Sequence, residues 1–243
     1  MEKKNSRQAG AVIERDVARR KNGDETRARI IDVAERLFAE NGVDAVSLRQ
    51  IMTVAGVNIS LINYHFGTKE GLLRAIFARR IEPLNRQRLA MLEKAEMADD
   101  PPRLEDLLRA FFLPRLKVSL STSKSSRPER LFGRIFSDSS PLTRRIIPEF
   151  FDEFQYRFIN SLKRTLPDMS DKDIYWRLHF LLCVAIQTPL YYDRIRKLSG
   201  GLCNFRDPEE LFAELLPILI AALRAPATSD QPTRSNPART RRR

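Results

Sequence analysis

A chain of 243 residues is long enough for one large domain, or for a small domain joined to a larger one. Its 42% hydrophobic and 30% charged residues are those of an ordinary globular chain, and no run approaches the ~20 apolar residues of a membrane span, so no membrane partner is expected. The formal net charge of +12 favours polyanionic partners, although a net four of those charges lie in the tail from Pro226, where Arg234, Arg239, Arg241, Arg242 and Arg243 outweigh Asp230.

Residues 1–25 are of mixed charge, with a brief apolar cluster at Ala11-Val12-Ile13, and read as a flexible N-terminal arm. They lack the continuous apolar core of a secretory signal, which sets the expectation of a cytoplasmic protein. From Thr26 the pattern turns helical. Ile30, Val33, Ala34, Leu37 and Phe38 follow the spacing of an amphipathic helix that ends at Asn41-Gly42.

Ser47 with Gln50 three residues on is a capping-box pair, and Leu48, Ile51, Met52 and Ala55 continue at helical spacing. Gly56 ends that helix and a second short one follows from about Asn58. Two short helices joined by a glycine turn make a helix-turn-helix, whose second helix can enter a DNA major groove. Ile62 and Phe66 point to one side of it, whereas Ser60 and Tyr64 point to the other with Leu61 and Asn63 at the edges. Spacing alone fits a helical hairpin with a polar outer face equally well.

Thr68 caps a fourth helix with Leu72, Leu73, Ile76 and Phe77 on its inner face, and Pro83 starts or bends its continuation toward Met97. After the turn at Asp99–Pro102, Leu104, Leu107, Leu108 and Phe111 begin another helix, which Pro114 is expected to kink or end. Ser119–Ser126 reads as a polar loop. A short helix follows at Leu131–Phe136, then a longer one carrying Phe150, Phe151, Phe154 and Phe158 up to Pro167. Two helices close the chain. One runs from Asp173 to about Lys197 with Pro189 inside; the other follows Asp207-Pro208-Glu209-Glu210, a cap with a first-turn proline and acidic first turn. No strand pattern competes, and the expected fold is all-α. Cys183 lies in an apolar run and reads as a buried hydrophobe, Cys203 beside Gly200-Gly201 as accessible; two cysteines are too few for a disulfide framework.

The run Ala55–Phe77 resembles the DNA-binding signature of the TetR family of bacterial regulators. Ala55-Gly56-Val57, Tyr64-His65-Phe66 and Lys69-Glu70 followed by Leu72 carry the match, which extends over about residues 26 to 80. The resemblance implies a helix-turn-helix DNA-binding domain over 26–72, a ligand-binding and dimerisation domain over 73–225, and a basic disordered tail over 226–243. Arg49 then matches a base- or phosphate-contacting position, Ile59, Ser60, Leu61 and Asn63 the base-facing part of the recognition helix, and Ser47, Tyr64, His65 and Lys69 backbone contacts. A guanidinium can bind guanine and an amide adenine, whereas Ile59 or Leu61 offers apolar contact to a thymine methyl. His65 also fits as a packing residue, and Arg49 as a solvated one.

By the same resemblance the partners are a double-stranded DNA operator, a second copy of the chain through the last two helices, and a small-molecule effector. The apolar stripes of those helices also fit plain intramolecular core. Phe111, Phe112, Phe132, Phe136, Phe150, Phe151 and Phe154 are candidates to line an apolar effector cavity, with Arg115, Arg177 or His179 to anchor an acidic head; phenylalanines at this spacing equally make ordinary core. Ile174–Phe180 is similar to a subgroup that includes regulators of fatty-acid metabolism, implying an acyl or other apolar effector that relieves repression. Arms such as residues 1–25 touch the minor groove in some related regulators, which points to Arg19, Arg20 and Lys21. The chain shows no phosphate-binding glycine loop, metal-ligand cluster or nucleophile beside a base, so neither an enzyme nor a cofactor is expected.

Overall fold

The computed structural model describes residues 2–121, 131, 133–136, 140–205 and 207–226, with side chains described from residue 21 onward except at 121. Phe132, most of the serine-rich segment, the side chains of Arg19 and Arg20, and the tail beyond Pro226 lie outside the described residues. Every regular element described is helical: α1 Glu2–Asn41, α2 Leu48–Ala55, α3 Ile59–Phe66, α4 Lys69–Ala98, α5 Leu104–Ser121, α6 Pro141–Thr165, α7 Asp171–Leu198 and α8 Pro208–Arg224. The chain divides into two compact units, Met1–Glu82 with Ser125–Phe150, and Pro83–Lys124 with Phe151–Arg243.

In the first unit α1 begins at Glu2, well before the expected start at Thr26. Glu, Lys, Arg, Gln and Ala fill much of that stretch and are favourable or tolerated in a helix, so local propensity permits the extension where an apolar stripe is missing. Ile30, Ile31, Ala34 and Phe38 form the buried face, while Val33 and Leu37 stay part-exposed. Val43, Val46, Ile51, Ala55, Ile62, Leu72, Leu73, Ile76 and Phe77 complete this core. Glu35 is buried in it as well. Arg80 meets its carboxylate with two hydrogen bonds, at 2.9 and 2.7 Å, and Arg79 lies 2.8 Å from the same group. A buried carboxylate faced by two guanidinium groups is paired as burial demands.

Residues 140–150 belong to the same unit. Ser140 Oγ donates to Asp44 Oδ1 at 2.6 Å, Arg145 pairs with Glu70 at 3.0 Å, and the Phe77 and Phe150 rings lie 5.4 Å apart. Arg74 joins both carboxylates, reaching Glu70 at 2.7 Å and Glu149 through a two-point fork.

The second unit is built on α5, which packs against α7 and α8. Leu92, Leu107, Leu108, Phe111, Phe112, Phe154, Phe158, Leu162, Ile174, Leu181, Phe212, Leu219 and Leu223 are among its buried residues. The rings of Phe111, Phe112, Phe154 and Phe158 stand 4.8–5.9 Å apart in a tilted cluster. Arg157 and Ser161 both bind the Glu96 carboxylate, at 2.6 and 2.5 Å.

Two expectations are corrected here. Pro114 does not end its helix: α5 runs on to Ser121, so the polar loop starts later than Ser119. Pro83, Pro148, Pro189 and Pro217 likewise sit inside continuous helices, because a proline forfeits one backbone hydrogen bond and flanking packing can hold the rest. Cys183 is exposed rather than buried, with its thiol 3.7 Å from His179 Nε2; the inward stripe of α7 is Ile174, Leu178, Leu181 and Ala185, and Cys183 falls off it.

Candidate nucleic-acid interface

The capping box read from Ser47 and Gln50 is formed in full. Gln50 N–H donates to Ser47 Oγ at 3.2 Å, and Ser47 N–H donates to Gln50 Oε1 at 2.7 Å, so α2 starts where its sequence directs. Gly56 follows with φ 62° and ψ 41°, the left-handed conformation that any side chain would strain. Asn58 then caps α3 by accepting the Ser60 N–H at 3.2 Å. The turn between α2 and α3 is therefore set by two local devices, Gly56 at the end of α2 and Asn58 at the start of α3, while the capping box fixes the far end of α2.

A fourth device fixes the exit of α3. Thr68 Oγ1 accepts the Gly71 N–H at 3.1 Å and opens α4. A Cβ on Gly71 would stand 2.0 Å from the Phe66 carbonyl oxygen, so only glycine lets the first turn of α4 approach the last residue of α3.

With both ends held, α3 divides into an inner and an outer face. Ile62 is 0% exposed and anchors it to the core, and Phe66, half-buried, carries the Arg27 guanidinium 5.5 Å from its ring centre. Ile59 (42%), Leu61 (37%) and Tyr64 (82%) are all exposed. Ser60 and Asn63 are exposed with them, as are Ser47 and Arg49 on α2. Among the described residues the Arg49 side chain makes no ion pair, so its guanidinium is available to an outside acceptor.

His65 and Lys69 are placed differently. His65 is half-buried and lies edge-on to Tyr64, with ring centres 5.0 Å apart. Lys69 donates to the Asp44 carbonyl at 3.3 Å and sits over the Phe38 ring, 5.9 Å from its centre. Burial pushes its amine down from the usual lysine value, with the Asp44 charge acting against that shift. Lys69 thus pins α4 to the loop before α2 while keeping part of its surface open.

The candidates for effector binding separate between the two units. Phe111, Phe112, Phe151, Phe154 and Arg115 are buried in the second, whereas Phe136 and Phe150 belong to the first. Arg177 ends α8, donating to the Ala222 and Ala225 carbonyls. His179 is exposed on α7, its ring 5.9 Å from that of Trp176 and 5.6 Å from that of Phe180. Among the described residues neither makes a ring contact or hydrogen bond with the phenylalanine cluster.

Sequence reading missed two features. Trp176 (53%), Phe180 (60%) and Ile218 (67%) are exposed on α7 and α8, and with Val184 and Ala222 they line a groove along these helices. Arg88 is buried in the second unit although nothing but its register marked it: it stands four residues from both Leu84 and Leu92 on the inward stripe of α4.

Comparison with known proteins places these two regions separately. Residues 30–76 match the family profile described as bacterial regulatory proteins, tetR family, and residues 109–222 match one described as tetracyclin repressor-like, C-terminal domain. An HTH-type transcriptional regulator of Pseudomonas putida, SrpR, is 43% identical over 61 residues, 25% of this chain and 29% of that protein. The HTH-type transcriptional regulator AcrR of Shigella flexneri is 38% identical over 77 residues, 32% of this chain and 35% of that protein. The matches to these curated relatives thus span about a third of their length. Among solved structures, NalD, the secondary repressor of the MexAB-OprM multidrug efflux pump in Pseudomonas aeruginosa, superposes with a TM-score of 0.56 at 20% identity, covering 82% of this chain and 97% of that one. A complex of SmeT with triclosan superposes with a TM-score of 0.53 at 22% identity, covering 86% and 98%. At such identities these two structures speak for the fold.

Proposed function

We propose that the chain, whose residues 30–76 and 109–222 match tetR-family models, is a DNA-binding regulator, a homodimeric repressor released from a palindromic operator by a small apolar or amphipathic ligand. The observation that carries the DNA-reading part is the split of α3: Ile62 is fully buried while Ile59, Leu61 and Tyr64 on the same eight-residue helix are exposed. Three large side chains exposed on one short helix beside Ser60 and Asn63 suit a surface that offers both apolar and polar contacts. The floor of a major groove supplies thymine methyls for Ile59 and Leu61, and base edges for Asn63 and Arg49. Tyr64, Ser47, His65 and Lys69 sit around that patch as phosphate contacts that fix register.

The exposed groove of α7 and α8 supports the second part. Trp176, Phe180 and Ile218 form an exposed apolar face, which a two-fold copy of the same face would cover. A dimer reads two half-sites, which makes the operator palindromic.

Relief by ligand needs the second unit to bind effector better in the arrangement that misplaces α3. Two helices run from one unit into the other, α4 at Glu82/Pro83 and α6 at Phe150/Phe151, and each carries a proline at or near that point, Pro83 and Pro148. They are the routes by which a change in the second unit reaches α3. The acyl-type effector suggested by the likeness of Ile174–Phe180 to fatty-acid regulators stays part of this proposal.

The test is the mass of the protein–operator complex in solution. Two protomers per duplex, with apolar ligands weakening the complex, support the reading; a single protomer per duplex, or a complex that no ligand loosens, refutes the corresponding part.

A further inference from the structure

The outward side of α7 carries an uncharged stripe whose large side chains stand at equal distances from its middle. Trp176, Phe180, Cys183, Gln187, Tyr191 and Ile195 are all exposed and follow one another at intervals of three or four residues, so they lie along one side of the helix. About the midpoint between Ala185 and Ile186, Phe180 and Tyr191 are equidistant, as are Trp176 and Ile195, and Val184 and Gln187. The other side of the helix is spent on the core through Ile174, Leu178, Leu181 and Ala185.

Two hollows flank that midpoint, and Val184 lines both. One, between α7 and α8, is walled by Trp176, Phe180 and Ile218, with the Trp176 and Phe180 rings stacked 6.1 Å apart. The other, of about 440 Å³, is lined by Gln187, Thr188, Tyr191, Tyr192, Ile195 and Phe205. Tyr192 holds its wall in place: the hydroxyl donates to the Phe205 carbonyl at 2.6 Å and ties the loop before α8 to α7. A surface with protruding rings on one side of a point and a hollow at the matching distance on the other is complementary to a two-fold copy of itself.

We propose that α7 of a second copy of this chain lies antiparallel against α7, with the two-fold axis passing between Val184 and Gln187, so that Phe180 of each copy enters the second hollow against the partner's Tyr191. This rests on the reading of α7 and α8 as a two-fold contact and fixes its register. Eleven residues separate Phe180 from Tyr191, close to three whole turns, so both point the same way and meet across the axis. Gln187 stands about 2 Å along the helix from that axis, and at the ~8–10 Å spacing of packed helices it faces its own counterpart. The uncharged stripe lets two copies of a chain with net charge +12 approach without like charges meeting at the centre. A small apolar molecule in the same hollow would leave Trp176 and Phe180 in water, whereas a second copy covers the rings and fills the hollow together.

The experiment uses the full chain with Cys183→Ser and Cys203→Ser, to which either Gln187→Cys or, as a control off the stripe, His179→Cys is added. Oxidised glutathione joins two facing thiols as a disulfide and is itself reduced to two glutathione thiols. On gels without reductant the Gln187→Cys protein is expected to shift from monomer to covalent dimer, and the His179→Cys protein to stay monomeric. Equal linking of both, or linking through His179→Cys alone, overturns the register. No linking through Gln187→Cys in a protein that sedimentation velocity shows to be dimeric overturns it too, and leaves the dimer reading standing. A monomeric unaltered protein refutes that reading and the register with it. Should the background without native thiols fail to fold, Cys203→Ser alone decides. A short bismaleimide is then expected to join Cys183 to the partner's Cys183, about 7–8 Å away along the paired helices, and failure to join them overturns the proposal. The dye 1-anilinonaphthalene-8-sulfonate tests the other occupant. If it binds the unaltered dimer, and Thr188→Trp fills the hollow and abolishes that binding while the dimer persists, a small molecule takes the place assigned to Phe180 and the proposal is overturned.

Discussion

Phe66 and Gly71 touch across the junction between α3 and α4: the Phe66 carbonyl oxygen lies where a side chain on Gly71 would begin, 2.0 Å from the ideal Cβ position. The last turn of the recognition helix and the first turn of α4 are therefore set as one piece, and a displacement of α4 is passed to Tyr64 and Asn63.

Gly71→Ala forces backbone atoms apart, since neither the Phe66 carbonyl nor the α4 backbone can rotate away as a side chain would. It is expected to destabilise the first unit by about 1–3 kcal/mol or more and to weaken operator binding beyond what that loss explains. Urea melts and anisotropy titrations on the same preparation separate the two effects. A protein of unchanged stability and affinity contradicts the close approach.

Arg49→Ala and Tyr64→Ala each remove an exposed side chain from the proposed DNA face, with nothing in the core to disturb. Operator affinity falls by about 1–3 kcal/mol for a base-contacting Arg49, and melting curves stay in place. Ile62→Ala does the reverse, lowering stability by about 2–5 kcal/mol because it empties a fully buried position. If neither surface substitution alters affinity, these two residues are not part of the interface.

Much of this region was legible in the sequence because its devices are local. Ser47, Gln50, Gly56, Asn58 and Thr68 act within a few residues of themselves, and each forms the contact its type and spacing imply. Arg88 was illegible for the opposite reason. A sequence reading assigns an arginine to solvent, and only the tertiary arrangement shows that it shares a stripe with Leu84, Leu92 and Ala95. Arg177 shows the same limit: it suggested an acid anchor, yet its guanidinium closes α8 on the Ala222 and Ala225 carbonyls, 45 and 48 residues away. Pro114 was read as kinking or ending its helix, and α5 carries through it to Ser121.

Trp176→Glu or Ile218→Glu places a charge on the exposed face of α7 and α8 without touching either core. Sedimentation velocity is expected to show the dimer lost in favour of monomer, and operator affinity falls with it because one half-site is then read alone. Retention of the dimer in both variants places the two-fold contact elsewhere.

The Arg74 guanidinium beside Glu149 holds that carboxyl below the usual glutamate range. A depressed folded-state value means that the pair's contribution is present above the unfolded glutamate value of about 4.3 and is lost as pH falls through the folded one. Glu149→Gln is thus expected to flatten the acid side of the stability profile and leave its neutral-to-alkaline side parallel to that of the unaltered protein. Because both side chains are exposed, added salt shrinks the difference. Hydrogen exchange of residues 141–150 follows the same loosening locally, and an unchanged acid limb refutes the role of the pair.

The central claim, that the outer faces of α2 and α3 read DNA as a two-fold pair, is tested most directly by selecting bound duplexes from a random pool at one stated salt concentration. The account predicts enrichment of a palindromic consensus that the unaltered protein recovers and Tyr64→Ala recovers poorly. Enrichment of no sequence, or of a single asymmetric site recovered equally well by both proteins, contradicts it.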